Sequence, residues 1–530
     1  MGRPAVAAVT ALLMGAACEA PFSIPAPVKY LRLAPDSVAL ETGDTFALSV
    51  TATDSAGRPV STPVDWASSA ESLATVSASG VVITRLPGRV TITASAGGLI
   101  AGVPISIAPR VTGVVIEQGD LVVSVGGSVA FTTFALDAQG DHLFGRPVAW
   151  AAQDPGIVDI SSNGVALVRH SGATLVIASH GALSDSVAIT AIDPHFTLLR
   201  AGPADHTCGL TDASVVLCWG ANDLGQLGVP ALSQSATPIG SPHDPGLATV
   251  TAGATFTCGA TGAGTVYCWG SSARGRLGAG VNQLSTSKPV AVADSLFLDG
   301  LTSGWNHTCG LRAIEVICWG ENPGAGGSGA ITWNPLIVTG APEFASLSAS
   351  VGFGCGLTVD SAAFCWGTNG AGQLGNGTIG ETTVPIAVAG GLKFAQVATG
   401  FMHACGLLAT GAVECWGNGE QGQLGGGDTT SHFTPVPVSG GIRFVFLAAG
   451  GARTCGLTAD GSGYCWGDGV LVPTAIPGAV KFTSLTVGNA HACGLGTDAR
   501  AYCWGRNNRG QLGDGTLADR PTPTLVLGQP

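Results

Sequence analysis

The apolar positions of this chain fall in short alternating runs. In Thr45-Phe46-Ala47-Leu48-Ser49-Val50, Phe46, Leu48 and Val50 share one face, while small or polar residues take the other. That period of two predicts a half-buried strand. Between Cys208 and Gly505 the alternation becomes a repeat. A hairpin recurs seven times: Cys-Gly-(Leu/Ala), about six or seven residues rich in Asp, Gly and Ala, then Cys-Trp-Gly. Its first cysteines step by 50, 51, 46, 50, 50 and 38 residues. A strand-turn-strand unit returning near every 50 residues is the pattern of a β-propeller blade, so seven copies predict seven blades over 195–530.

Upstream, the same reading gives a tandem pair. Gly43, Trp66, Gly80 and Gly88 return as Gly127, Trp150, Gly164 and Gly172, each displaced by 84 residues. Alternating strands with Gly turns predict two β-sandwiches, over 28–109 and 110–194. The fold class is therefore all-β: two tandem sandwiches followed by a seven-bladed propeller.

Cysteine usage adds the chemistry. Fourteen of the 15 cysteines form seven pairs: Cys208/Cys218, Cys258/Cys268, Cys309/Cys318, Cys355/Cys365, Cys405/Cys415, Cys455/Cys465 and Cys493/Cys503. Symmetric placement about each turn sets the two sulfurs opposite one another on adjacent antiparallel strands, within disulfide range. In copy six the midpoint is Asp460-Gly461, which supplies the positive-φ residue of a tight turn. Seven intra-blade disulfides are the expectation, and they imply an oxidising compartment. A metal is not expected, because each hairpin offers two thiols where zinc takes four ligands. The Trp after each second Cys points to the opposite face and predicts inter-blade core, and the Gly after it predicts a bulge. His206, His307, His403 and His491 precede the first Cys by two residues. Phe256, Phe353 and Arg453 hold that place elsewhere, which suits packing or hydrogen bonding better than a metal ring.

The repeat resembles that of the regulator of chromosome condensation family, a seven-bladed propeller. Copy five carries the likeness in full: Phe394-x-x-Val397-x-x-Gly400, His403-Ala404-Cys405-Gly406-Leu407, Val413-Glu414-Cys415-Trp416-Gly417, Gly422-Gln423-Leu424-Gly425 and Pro435-Val436-Pro437-Val438. Copy two has Gly275-Arg276-Leu277-Gly278 at the turn, and copy three Gly324-Ala325-Gly326-Gly327. Copy six lacks the turn, which predicts a blade truncated on one edge. The upstream pair resembles bacterial immunoglobulin-like domains of group 2, through Leu40-Glu41-Thr42-Gly43, Val64-Asp65-Trp66-Ala67-Ser68-Ser69 and Gly88-Arg89-Val90-Thr91-Ile92-Thr93-Ala94. Such domains, by resemblance, serve as spacers or adhesion modules on bacterial surfaces.

At the N-terminus Arg3 precedes an apolar run, Ala5 to Ala17, too short to span a bilayer. It ends in Gly15-Ala16-Ala17-Cys18, which resembles a bacterial lipobox with Gly15 in place of the usual Leu. Residues 1–18 are read as a signal peptide ending in a lipidated Cys18. The other reading is an ordinary signal peptide cut near Ala17. Residues 19–27 are Pro-rich and predict an extended tether. The expected location is the bacterial cell envelope, anchored to a membrane by lipid.

Charge narrows the function. The net charge of −12, with 11% charged residues and no basic run, argues against nucleic acid as a partner. No Gly-x-Ser-x-Gly, P-loop or EF-hand loop occurs, and no cofactor is expected. The favoured function is a non-enzymatic, exported binding protein whose partner is a protein or a polysaccharide. The connections after the Gly-Gln-Leu-Gly turns differ between copies, and Trp333, His432 and Phe433 within them are candidate exposed anchors. Guanine-nucleotide exchange, which the family resemblance implies, is the alternative, and would need an intracellular GTPase. An enzyme-inhibitor propeller is another, and a polysaccharide-cleaving enzyme would need carboxylates and His clustered in the central channel.

Overall fold

The computed structural model describes residues 27–240, 244–280, 284–293, 296–321 and 330–530. The segment expected to be a signal peptide with Cys18, most of the expected tether, and Gly324-Ala325-Gly326-Gly327 lie outside them. Apart from one turn of 3-10 helix at Ala273–Gly275, the described elements are strands. They form two compact units.

The first unit is a sandwich. One sheet runs Val38–Glu41, Leu99–Ala108, Gly88–Ala96, Asp65–Ser68, with its first two strands parallel. Thr45–Ala47, Val81–Thr84 and Ala74–Val76 make a second. Alternation buries Val90, Ile92 and Ala94 against Leu33, Leu48 and Val82. Gly80 shows why a side chain is excluded there: φ is +79°, and a Cβ would lie 2.7 Å from the Trp66 ring. Gly164 repeats this, at φ +77° and 2.9 Å from the Trp150 ring. The repeated Gly and Trp therefore serve one packing device in both sandwiches.

The second unit holds the second sandwich and the propeller. The propeller has seven four-stranded blades: blade 1 over 196–240, blade 2 over 247–291, blade 3 over 299–337, blade 4 over 344–387, blade 5 over 394–437, blade 6 over 446–475 and blade 7 over 482–525. Each blade is antiparallel and built from consecutive strands. Among the described residues no strand is exchanged between the first and last blades, so the ring closes by packing. At that seam Phe196, Leu199 and Trp219 of blade 1 bury against Leu495, Cys503 and Val526 of blade 7.

The sandwich continues into blade 1. Leu121–Ser124 pairs in parallel with Leu183–Ile192 on one side and antiparallel with Gln234–Gly240, the outermost strand of blade 1, on the other. One eight-stranded sheet results. The same sandwich edge meets the chain's last residues, where a Cβ on Gly126 would touch Leu527 at 3.5 Å and one on Gly528 would strike Ser124 at 2.5 Å.

Within each blade the two cysteines sit directly opposite one another on the middle strands, as in Cys405↔Cys415. The structure joins them as Cys208–Cys218, Cys258–Cys268, Cys309–Cys318, Cys355–Cys365, Cys405–Cys415, Cys455–Cys465 and Cys493–Cys503, with Cα separations of 4.0–4.1 Å. Each following Trp packs between its own blade and the preceding one: Trp416 joins Phe353 and Leu374 of blade 4 and Phe394 of its own blade, and Trp466 joins Leu407 and Leu424 of blade 5 and Phe444 just before blade 6. The Gly after Trp sits at a register shift in the pairing with the outermost strand; Gly417 has φ +99°.

Blade 6 differs from expectation. It keeps all four strands, the outermost being Val470–Ala475. The missing dozen residues come from the connection before it, replaced by a two-residue turn with Asp468 at φ +50° and Gly469 at φ +90°. Two successive positive φ values match the twist of a hairpin, so the shortening leaves the edge intact.

Candidate functional site

The cysteines are part of the packing, and all the described ones except the partly exposed Cys465 are buried. Cys218, Cys268, Cys318 and Cys365, the second members of the first four pairs, are fully buried, as are their partners Cys208, Cys258, Cys309 and Cys355. Each pair lies in the apolar core of its own blade, Cys258 and Cys268 beside Phe256 and Leu298, Cys355 and Cys365 beside Phe353 and Phe394. A functional site must therefore be sought among the residues around them.

The second residue before each first cysteine points into the contact with the next blade. His206 Nε2 meets Thr257 Oγ1 at 3.1 Å, His403 Nε2 meets Thr454 Oγ1 at 2.8 Å, and His491 Nε2 meets Thr207 Oγ1 at 2.9 Å across the seam. Each threonine in turn donates to a turn carbonyl: Gln226, Gln423 and Gln511. A hydroxyl that has given its proton away must accept from the imidazole, so Nε2 carries the hydrogen and Nδ1 is a buried lone pair. Burial pulls the pKa of His206 and His307 down to about 4, and of His403 and His491 to about 3. These neutral, enclosed histidines are structural. His307 faces Gly354 where the other three meet threonine, and neither of its nitrogens has a partner among the described residues.

The innermost strands surround a central cavity of about 340 Å³. The positions opposite each first cysteine line it: Arg200, Thr251, Thr302, Ser348, Ala398, Ala448 and Thr486. Among the described residues its lining contains no carboxylate and no histidine. No group of His, Cys, Asp and Glu among the described residues is placed to hold a metal.

The channel opens on the face that carries the turns entering each cysteine hairpin. There a second cavity of about 730 Å³ is lined by Arg274, Trp305, Asn306, Glu321, Phe401 and Met402, among others. Trp305 and Phe401 meet edge to face, 6.4 Å between ring centroids, and Phe401 is 43% exposed. Both also border the channel mouth. The polar wall beside them grows from the variant turn of copy two. Arg276 stands where other copies have Gln, and its guanidinium donates to Asn306 Oδ1, Thr255 Oγ1 and Ser271 Oγ. Asn306 therefore turns Nδ2 to Glu321, 2.6 Å away, and Glu321 pairs with Arg274 at 2.7 Å. Burial, then the adjacent Arg274 charge, lowers the Arg276 pKa. A half-exposed aromatic pair beside an ordered charged network can anchor an apolar side chain and orient its polar neighbours.

Trp333, His432 and Phe433 lie elsewhere. They belong to the outermost strands Ile331–Ile337 and His432–Pro437, not to free loops. Phe433 covers Gly372 of the preceding blade's turn, where a Cβ would lie 2.2 Å from its ring, and the backbone of Thr332 and Trp333 covers Gly275 in the same way, with the Thr332 carbonyl 2.3 Å from such a Cβ. Both contribute to blade-to-blade packing, and Phe433 remains 43% exposed. Trp305 and Phe401 are not among the anchors expected from the sequence, though a signal for them exists. Two residues before the His position the copies read Ala204, Ala254, Trp305, Val351, Phe401, Gly451 and Asn489. Large aromatics at a position that is otherwise mostly small mark a place the fold does not require.

Profiles of the regulator of chromosome condensation (RCC1) repeat match 248–276, 394–423 and 482–511, and, in a second form, 360–407, 410–457 and 498–530. The propeller is built from RCC1 repeats. The bacterial Ig-like domain (group 2) profile matches 27–98. Solved RCC1-repeat propellers share the fold. Prp20p from Saccharomyces cerevisiae is 21% identical with a TM-score of 0.54, covering 63% of this chain and 87% of that one. Human WBSCR16 is 20% identical with a TM-score of 0.53, covering 58% and 92% respectively. No curated protein is similar enough to match the chain.

Proposed function

We propose that this chain is an exported, non-catalytic surface protein whose RCC1-repeat propeller binds a protein ligand at the Trp305–Phe401 face, with the Ig-like domains as spacers. The observation that carries the reading is the half-exposed aromatic pair, ringed by the Arg276–Asn306–Glu321–Arg274 network, on a scaffold that does not need it. Seven disulfides support export. Lipid anchoring at Cys18 rests on the sequence pattern. Prp20p is described by its binding to Gsp1p and histones, and Kap60 has been solved bound to it, so this fold serves protein recognition elsewhere. Likeness at that identity transfers no partner, and disulfides do not suit intracellular nucleotide exchange.

The test has two parts. Intact mass of the protein from native membranes, without reductant, is expected to start at an acylated Cys18 and to lack the fourteen thiol hydrogens. A full-length, reduced chain overturns export. A photo-crosslinker at Phe401 on intact cells is expected to yield a protein adduct that Trp305→Ala abolishes; a crosslinker at exposed Val472, on an outermost strand, is expected to yield none. Equal adducts at both positions overturn the assigned face.

A further inference from the structure

The channel wall is a set of hydrogen-bond donors with one cation. At the ring opposite the first cysteines, Thr251 Oγ1 accepts the amide of Ser303, Thr302 Oγ1 that of Ala349, and Thr486 Oγ1 that of Ala201. Each hydroxyl stitches its blade to the next and keeps its own proton free to donate into the channel. Blade 1 breaks the pattern with Arg200. Its strand alternates so that Leu199 enters the blade core and Arg200 faces the channel. Among the described residues no carboxylate pairs with it, and its one hydrogen bond is Nη1 to the Leu199 carbonyl, 3.1 Å. Enough protein surrounds the guanidinium for burial to lower its pKa, yet arginine stays charged at any working pH.

A partly buried, unpaired cation is costly unless a counter-charge meets it. Here the missing partner is an anion, because the other groups on the ring are neutral hydroxyls or alanine methyls and supply no counter-charge. We infer that the central channel is an oxyanion site, with Arg200 as its anchor and Thr251, Thr302 and Thr486 as neutral donors, sized for a carboxylate or sulfate group. The cavity volume of about 340 Å³ admits a group of several heavy atoms. The inference is independent of the protein-binding reading, since Arg200 lies on the inner wall and not on the aromatic rim.

The test uses the full chain with its disulfides intact, titrated calorimetrically with sodium citrate and with sodium sulfate at constant ionic strength. Saturable binding is expected. Arg200→Thr, which installs the residue that blades 2, 3 and 7 already carry at this place, is expected to fold and to weaken binding about tenfold or more. Arg443→Gln removes an equal charge from the exposed connection between blades 5 and 6, away from the channel and the aromatic face, and is expected to leave the affinity within about twofold. Arg200→Lys keeps the charge and is expected to fall between wild type and Arg200→Thr, which tests the site even if the threonine variant folds poorly. A short peptide with a free C-terminal carboxylate, set against its amide, separates a polypeptide end from a free small anion as the source. No saturable heat with either salt overturns the inference, as does unchanged affinity in Arg200→Thr or equal weakening in Arg443→Gln.

Discussion

Replacing His403 by Phe together with Thr454 by Ala converts one blade contact into the pair that the chain already uses at Phe353 and Ala404. The consequence is a change in acid sensitivity. In the folded protein burial holds the His403 pKa at about 3, against an ordinary value of 6.5. The folded pKa is depressed, so the unfolded chain binds the proton first. This contribution to stability is fully present above about pH 6.5 and is lost as pH falls toward the folded value. Between about pH 8 and about pH 4.5 the unfolded imidazole titrates through roughly two units, each worth about 1.4 kcal/mol, while the folded one stays neutral. The loss is about 3 kcal/mol for this one residue. At about pH 8 the double variant gives up two hydrogen bonds, His403 to Thr454 and Thr454 to the Gln423 carbonyl, each worth about 1 kcal/mol, and gains apolar burial. It should therefore lie within about 2 kcal/mol of wild type at about pH 8, and the difference between the two should move in its favour by about 3 kcal/mol by about pH 4.5. Urea midpoints followed by tryptophan fluorescence, without reductant, give the difference at each pH. Carboxylate titration is common to both proteins and cancels. Parallel pH dependence in the two proteins would refute the argument.

Other substitutions read out the packing. Trp416→Ala removes the indole that packs between blades 4 and 5 and donates Nε1 to the Gln373 carbonyl at 3.0 Å; it should cost about 3–5 kcal/mol, seen as a lowered thermal midpoint. Gly417→Ala places a Cβ 2.5 Å from the Met402 carbonyl at φ +99° and should cost more than about 2 kcal/mol. Gly426→Ala, which meets no atom within 4 Å, should change stability by less than about 0.5 kcal/mol in the same denaturation assay. Replacing Cys455 and Cys465 together by Ala opens a loop of sequence separation 10 and should lower stability by at most about 2.7 kcal/mol on chain entropy, checked by urea denaturation.

The all-β architecture was legible because its signals are local: a Cys-Trp-Gly ending every hairpin and a Gly-Trp pair repeated in tandem. Blade 6 was misread because a missing turn motif does not say which of loop or strand has been lost; Asp468 and Gly469 show that the loop went. The functional face was harder to find. Trp305 and Phe401 belong to no motif, and their meeting depends on blades 3 and 5 being brought round one axis, which residue order does not express. Trp333 and Phe433 looked free because the strand each belongs to follows a variable connection, whereas that strand packs over a glycine of the neighbouring blade, through the Phe433 ring at Gly372 and through backbone at Gly275.

The way the ring closes has a kinetic consequence. Every disulfide joins residues 9 or 10 apart, so each hairpin can oxidise as it emerges, with little risk of mispairing. None of them crosses the seam. There, Leu121–Ser124, laid down before the propeller, waits for Leu527 and Gly528 at its end. Closing so long a loop is entropically slow compared with forming any single blade. Ring completion is thus the late step of folding, and oxidation is decoupled from it. A chain stalled before its last strand would be fully oxidised yet open, with the Phe196 edge of blade 1 still unburied.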